Sequence, residues 1–127
     1  MSDHEPLGSE LRSLFEHLDH AGDPAGAARG FRQVSGEAGQ EALGTRVRFV
    51  LSVADGRLQS VRFRAYGCPF TLAACEWLAR SLEGRTAEDA RAIGGPLDWV
   101  RRLAIPDARL GRLIVIEDAL QRALTQL

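Results

Sequence analysis

Val61-Arg62-Phe63-Arg64-Ala65-Tyr66-Gly67-Cys68-Pro69-Phe70 decides the architecture of this chain. Its first five residues alternate, apolar to one side and arginine to the other, with the two-residue period of a half-buried strand. From Thr71 to Leu82 the pattern turns helical. Tyr66-Gly67-Cys68-Pro69-Phe70 is the joint between them. A thiol there points from a loop into the first turn of a helix, where free N–H groups and the helix dipole lower a cysteine's pKa toward thiolate. Thiolate is the form that binds metal or attacks an electrophile, so Cys68 is the chain's best candidate for chemistry.

Upstream, Val47, Phe49, Leu51 and Val53 fall on one face of a second alternating run, with Arg46, Arg48 and Ser52 largely on the other. Asp55-Gly56 between the two runs is a strong signal for a two-residue hairpin, because type I′ turns need positive φ at both positions. Val34 to Gly39 reads as a short strand at most. Ser9 is the expected N-cap of a first helix to about His20, with Leu11, Leu14, Phe15 and Leu18 at helical spacing. Ala21 to Gly30, with three glycines and a proline, excludes a regular element. After Leu82, Thr86 caps a short helix through Ile93, and Pro96 suits the first turn of another to about Ala104. A closing helix from about Leu110 to Leu127 carries Leu113, Ile116, Leu120 and Leu124 on one stripe. Strands first and helices afterwards predict an α+β fold: a small antiparallel sheet of about three strands with helices packed on one face. Residues 1–8 read as a flexible polar lead and 9–127 as one domain.

Composition narrows the function classes. The chain has 127 residues and is 45% hydrophobic, enough for one core. Sixteen basic residues against 17 acidic ones leave no electrostatic footprint for nucleic acid or an anionic membrane. All the basic residues are arginine, which rules out Schiff-base lysine chemistry. No apolar run reaches the ~18 residues of a membrane span. Two cysteines without a secretory signal predict a reducing compartment, with the cytoplasm as default.

The strand–Tyr66-Gly67-Cys68–helix unit, Ile105-Pro106-Asp107-Ala108-Arg109 and Glu117-Asp118-Ala119-Leu120 together resemble the IscU/NifU-type iron–sulfur cluster assembly scaffolds over residues 10 to 124. The resemblance implies a SufE/NifU-like fold, no enzymatic activity, and iron or an iron–sulfur cluster held by three cysteines. It implies a cysteine desulfurase or another iron–sulfur assembly protein as partner, and a homodimer as one way to complete a ligand set. Of the three cysteines this chain keeps the middle one, Cys68. The first falls at about Ala42, and the family's His-Cys pair at about Gly111-Arg112. Arginine cannot deprotonate to ligate a metal, and it repels iron. Cys68 is therefore the one expected metal and cluster contact. The chain reads as a divergent scaffold-like protein binding iron or a cluster transiently, or else as a metal-free paralogue serving as a protein-interaction module.

Other residues have blander readings. Cys75 lies two helical turns beyond Cys68, about 10 Å along the axis, and reads as a small packed side chain. His17 and His20 could offer two imidazoles to a metal, but read as exposed helix-end residues, and His4 as solvated. Arg46, Arg48, Arg62 and Arg64 form a basic patch on the outer sheet face, suited to an acidic partner tail or simply to solvent. Trp77 and Trp99 read as core, and Glu117 and Asp118 as structural.

Overall fold

Asp55 and Gly56 both take the left-handed conformation, φ 54° and 73°, in the computed structural model of the protein, which describes residues 7–24 and 31–127. The turn joins β2 (Thr45–Ala54) to β3 (Arg57–Tyr66), as its sequence predicts. Val47, Phe49 and Leu51 face inward with Val61 and Phe63, all essentially without solvent contact. Ser52 pairs with Ser60 but Val53 with Leu58, so Gln59 is an extra residue in the ladder. That bulge lets Leu58 and Val61, three apart, both reach the core.

The first strand is longer than its sequence suggests. β1 (Arg32–Gln40) pairs along all nine residues with β2, giving the sheet order β1-β2-β3. Glycine weakens strand propensity, and Gly36 and Gly39 mask this strand. Gly36 is there for proximity: a Cβ on it would lie 2.3 Å from the Ala119 carbonyl oxygen and 2.4 Å from the Ala123 amide nitrogen.

Those two residues belong to α5 (Leu110–Leu124), which packs on β1 and β2 through Leu113, Ile116, Leu120 and Leu124. α2 (Pro69–Leu82) packs on β3 beside it. α1 (Ser9–Glu16) lies on α2, and α4 (Pro96–Leu103) on α5, with Trp99 buried and its indole N–H donating to the Ile93 carbonyl at 3.3 Å. Thr86 caps the short α3 (Ala87–Arg91) by accepting from the Asp89 amide at 3.2 Å. Trp77 is half-buried, with the Arg102 guanidinium over its ring. The expected α+β architecture, with helices on one face of a three-stranded antiparallel sheet, is the observed one.

The first helix departs from expectation at both ends. Gly8, not Ser9, is its N-cap, and it stops at Glu16 rather than His20. The chain turns there to run beside β3: the Phe63 amide donates to the His20 carbonyl at 3.0 Å, and the Gly22 amide to the Phe63 carbonyl at 2.8 Å. Tertiary pairing outweighs helical periodicity over His17 to His20. The closing helix ends at Leu124 instead of Leu127. Residues 1–6 of the expected lead, with His4, and 25–30 of the glycine-rich stretch lie outside the described residues.

Both edges of the sheet are occupied. On β1, the Glu37 carbonyl accepts from Arg122 at 2.6 Å and the Ser35 carbonyl from Gln126. On β3, the Leu58 amide donates to the Arg85 carbonyl, the Gly84 amide to the Leu58 carbonyl, and the Val61 amide to a Glu83 carboxylate oxygen at 2.9 Å.

Candidate functional site

Cys68 is the N-cap of α2, in extended conformation, with Pro69 preset for the first helical turn behind it. Gly67 allows the joint to close: a Cβ there would meet the side chain of buried Thr71 at 3.0 Å. The same close approach places the Thr71 hydroxyl 3.5 Å from the Cys68 sulfur. The thiol also faces the Phe70 and Thr71 amides, without closing a strict capping bond to either. Partial burial pushes the thiol up, but the Thr71 hydroxyl, those two amides and the charge of Arg112 together outweigh it. Cys68 is thus held below its ordinary value. Thr71 carries no sequence signal for this part beyond its place three residues into the helix.

Cys75 has the opposite environment. It is fully buried in the core, and burial, reinforced by the neighbouring Glu76, pushes its thiol far up. The packed reading of this residue holds.

Arg112 lies on the first turn of α5 and lines a cavity of about 260 Å3. Leu43 faces the same cavity from the 3-10 turn Glu41–Leu43, and the residue is 80% exposed. Ala42, the expected place of the family's first cysteine, is not among the residues lining it. Neither Leu43 nor Arg112 can supply a thiolate, and among the described residues no three His, Cys, Asp or Glu side chains gather to hold a metal ion. The donor set present does not fit a cluster bound by one chain, because a cluster needs three to four ligands.

His17 and His20 do not converge on a common ligand. The His17 ring is exposed and bonds the Ser13 carbonyl at 3.0 Å. His20, expected to be exposed, is half-buried between two carboxylates: Nδ1 lies 2.6 Å from Glu76 and Nε2 lies 3.1 Å from Glu83. Glu76 has no solvent contact, and it also accepts the His20 amide at 2.9 Å and Arg80 Nε at 2.8 Å. The available signal for this buried anion is a glutamate four residues before an arginine, flanked by Ala73 and Ala79 on an apolar helix face. Glu117 is half-buried against Gly95 at the head of α4, in keeping with a structural role.

The four outer arginines share the sheet face away from the helices, Arg48 opposite Arg64 in register. Much of their charge is answered locally. Arg46 pairs with Glu37 and Arg64 with Asp23, while Arg62 donates to the Asp19 carbonyl. A larger groove of about 700 Å3 lies alongside, lined in part by Arg48, Arg64, Tyr66 and Leu18, but Cys68 is not among its lining residues.

Residues 12–127 match the family model described as the NifU-like N terminal domain. The chain is 39% identical over 117 residues to a bifunctional protein NifU/MnmA of Rubrobacter xylanophilus, a match covering 84% of this chain but 22% of that protein. It is 29% identical over 91 residues to the iron–sulfur cluster assembly scaffold protein IscU of Escherichia coli K12, covering 71% of this chain and 70% of that one. An iron–sulfur cluster assembly scaffold protein for the SUF system from Fervidobacterium islandicum shares the fold. The two superpose with a TM-score of 0.69 at 15% identity, over 92% of this chain and 95% of that one.

Proposed function

This chain belongs to the NifU-like N-terminal domain family, and from that premise we propose that it serves iron–sulfur cluster assembly as a divergent, scaffold-shaped protein. Its working group is the single thiolate of Cys68, which engages iron or a cluster only in passing. The observation that carries this reading is the pairing of an acidified thiol on the α2 N-cap with an arginine where the resemblance places a ligand. One thiolate gives one bond to a cargo metal, and the nearby guanidinium disfavours a cation beside it. The cargo is therefore passed on or shared with a second chain, not stored. No bond-making chemistry of the chain's own is required, so it is not an enzyme in this reading. Its partner is a cysteine desulfurase or another assembly protein, met in the cytoplasm; among the described residues no helix is long and apolar enough to cross a membrane.

A metal-free interaction module is the second reading. It is favoured by the missing ligands and by the Rubrobacter relative, whose name joins NifU to MnmA on one chain. Anaerobic reconstitution with iron and sulfide, read by absorption, iron counting and native mass, separates the two. The first predicts substoichiometric iron that disappears in Cys68→Ala; the second predicts none in either protein. About two irons per monomer with cluster absorption would refute both.

A further inference from the structure

The groove of about 700 Å3 on the arginine-bearing side of the sheet has no part in the thiol reading. Its charged lining is Arg46, Arg48 and Arg64 with Glu37 and Glu41. Arg46 is taken up by Glu37. Arg48 is exposed, has no hydrogen bond or ion pair among the described residues, and faces Arg64 directly across the β2–β3 ladder. Like charges set opposite each other on paired strands cost stability, and a local rule broken in this way points to a surface with another use. Arg64 pairs with Asp23 at 3.1 Å, but the two side chains are 66% and 61% exposed, so that pair is weak and exchangeable. Glu41 lies on the β1 side, which leaves the positive end of the groove between β2 and β3.

The groove also has an apolar wall. Leu18 and Leu72 line it, and so does Tyr66, which is 53% exposed at the end of β3 opposite Arg46. Tyrosine and arginine side by side are the residues that most often dominate binding energy at protein interfaces. A lone small anion would leave that wall wet, and guanidiniums this exposed hold an anion weakly by charge alone. We propose that the groove docks an extended acidic segment of a partner protein. One carboxylate of the segment sits between Arg48 and Arg64, displacing Asp23, and a neighbouring apolar side chain packs on Leu18, Leu72 and Tyr66. A guanidinium fork matches a carboxylate in geometry as well as in charge. The segment is held by side chains and needs no pairing with a strand rim. Cys68 does not line the groove, so the proposal stands apart from the thiol reading.

The test is fluorescence anisotropy on the full chain at low ionic strength. The probe is a labelled hexapeptide alternating aspartate with leucine, compared with one alternating aspartate with serine and one alternating lysine with leucine. The aspartate–leucine peptide should bind best, and added salt should weaken it. A guanidinium in contact with a carboxylate in a water-like dielectric is worth about fivefold in affinity. Arg48→Gln should therefore weaken binding about fivefold and Arg48→Glu about 25-fold, both charge steps being taken at that rate. Arg101→Glu, a charge reversal at an exposed position on α4 outside the groove, should change it less than twofold. Four results overturn the proposal. They are no binding below about 1 mM, equal affinity for the lysine peptide or the serine peptide, an Arg48→Glu effect no larger than that of Arg101→Glu, and succinate binding as tightly as the peptide. None of the four bears on the reactivity of Cys68.

Discussion

Replacing Gly36 with alanine tests how closely α5 rests on the sheet. The added methyl would stand 2.3 Å from the Ala119 carbonyl oxygen, 2.4 Å from the Ala123 amide nitrogen and 2.9 Å from the Arg122 carbonyl carbon. All three are backbone atoms, so no side chain can swing aside, and the helix must retreat by about an ångström for ordinary contact. Overpacking of this kind costs about 1–3 kcal/mol, and a purely backbone obstruction belongs at the upper end. A gap of that size also forfeits about a quarter to a half of the dispersion well for the facing atoms, here Leu113, Ile116, Leu120 and Leu124. Against this, alanine restricts the unfolded chain and returns about 0.4–1 kcal/mol. The net expectation for Gly36→Ala is a loss of about 2 kcal/mol. In urea the midpoint should fall by about 1 M with an unchanged slope, and the melting temperature by about 8 °C. Trimming the helix with Ala119→Gly should not rescue the variant, because its methyl is not what obstructs. A change within about 0.5 kcal/mol, or rescue by Ala119→Gly, would show that α5 does not lie where this reasoning needs it.

Glu76→Ala should destabilise more than Glu76→Gln, by about 3 kcal/mol against about 1, because alanine removes the buried acceptor of the half-buried His20 and of Arg80 Nε while glutamine keeps one. Equal effects in chemical denaturation would mean that the network contributes through shape alone. In alkylation across pH, Cys68 should reach half-maximal rate below the ordinary thiol value of about 8.5, whereas Cys75 should label only on unfolding. The lowered Cys68 value also adds a little stability above the unfolded thiol pKa, and that increment fades as pH falls through the folded value. Equal and slow labelling of both cysteines would contradict this assignment.

The hairpin was legible because Asp55-Gly56 and period-two alternation are local signals that agree with each other. The inward stripe of α5 was legible for the same reason. β1 was not, because Gly36 and Gly39 read as breakers until α5 is seen pressed against the strand. Residues 17–20 read as a continuation of the first helix because of their apolar spacing, and only the edge of β3 redirects them. At the candidate site, the helix-entry position of Cys68 and the cation at Arg112 could be taken from sequence and resemblance. The contribution of Thr71 could not, since it depends on the bend at Gly67, and neither could Leu43 facing the cavity where Ala42 was expected. His20 and Glu76 meet across 56 residues, a pairing with no local trace.

The capped carbonyls of β1 and the bonded rim of β3 bear on how this protein behaves in a crowd. Open strand rims are the usual templates for recruiting another chain's strand, and thus for runaway polymerisation. Here an intruding strand would first have to evict Arg122 and Gln126 on one side, or the Glu83, Arg85 and His20 contacts on the other. Any partner protein is thereby steered to loops, helix surfaces and the sheet face, away from the strand rims. The exposed Leu43 and the half-buried Cys68 are already placed there.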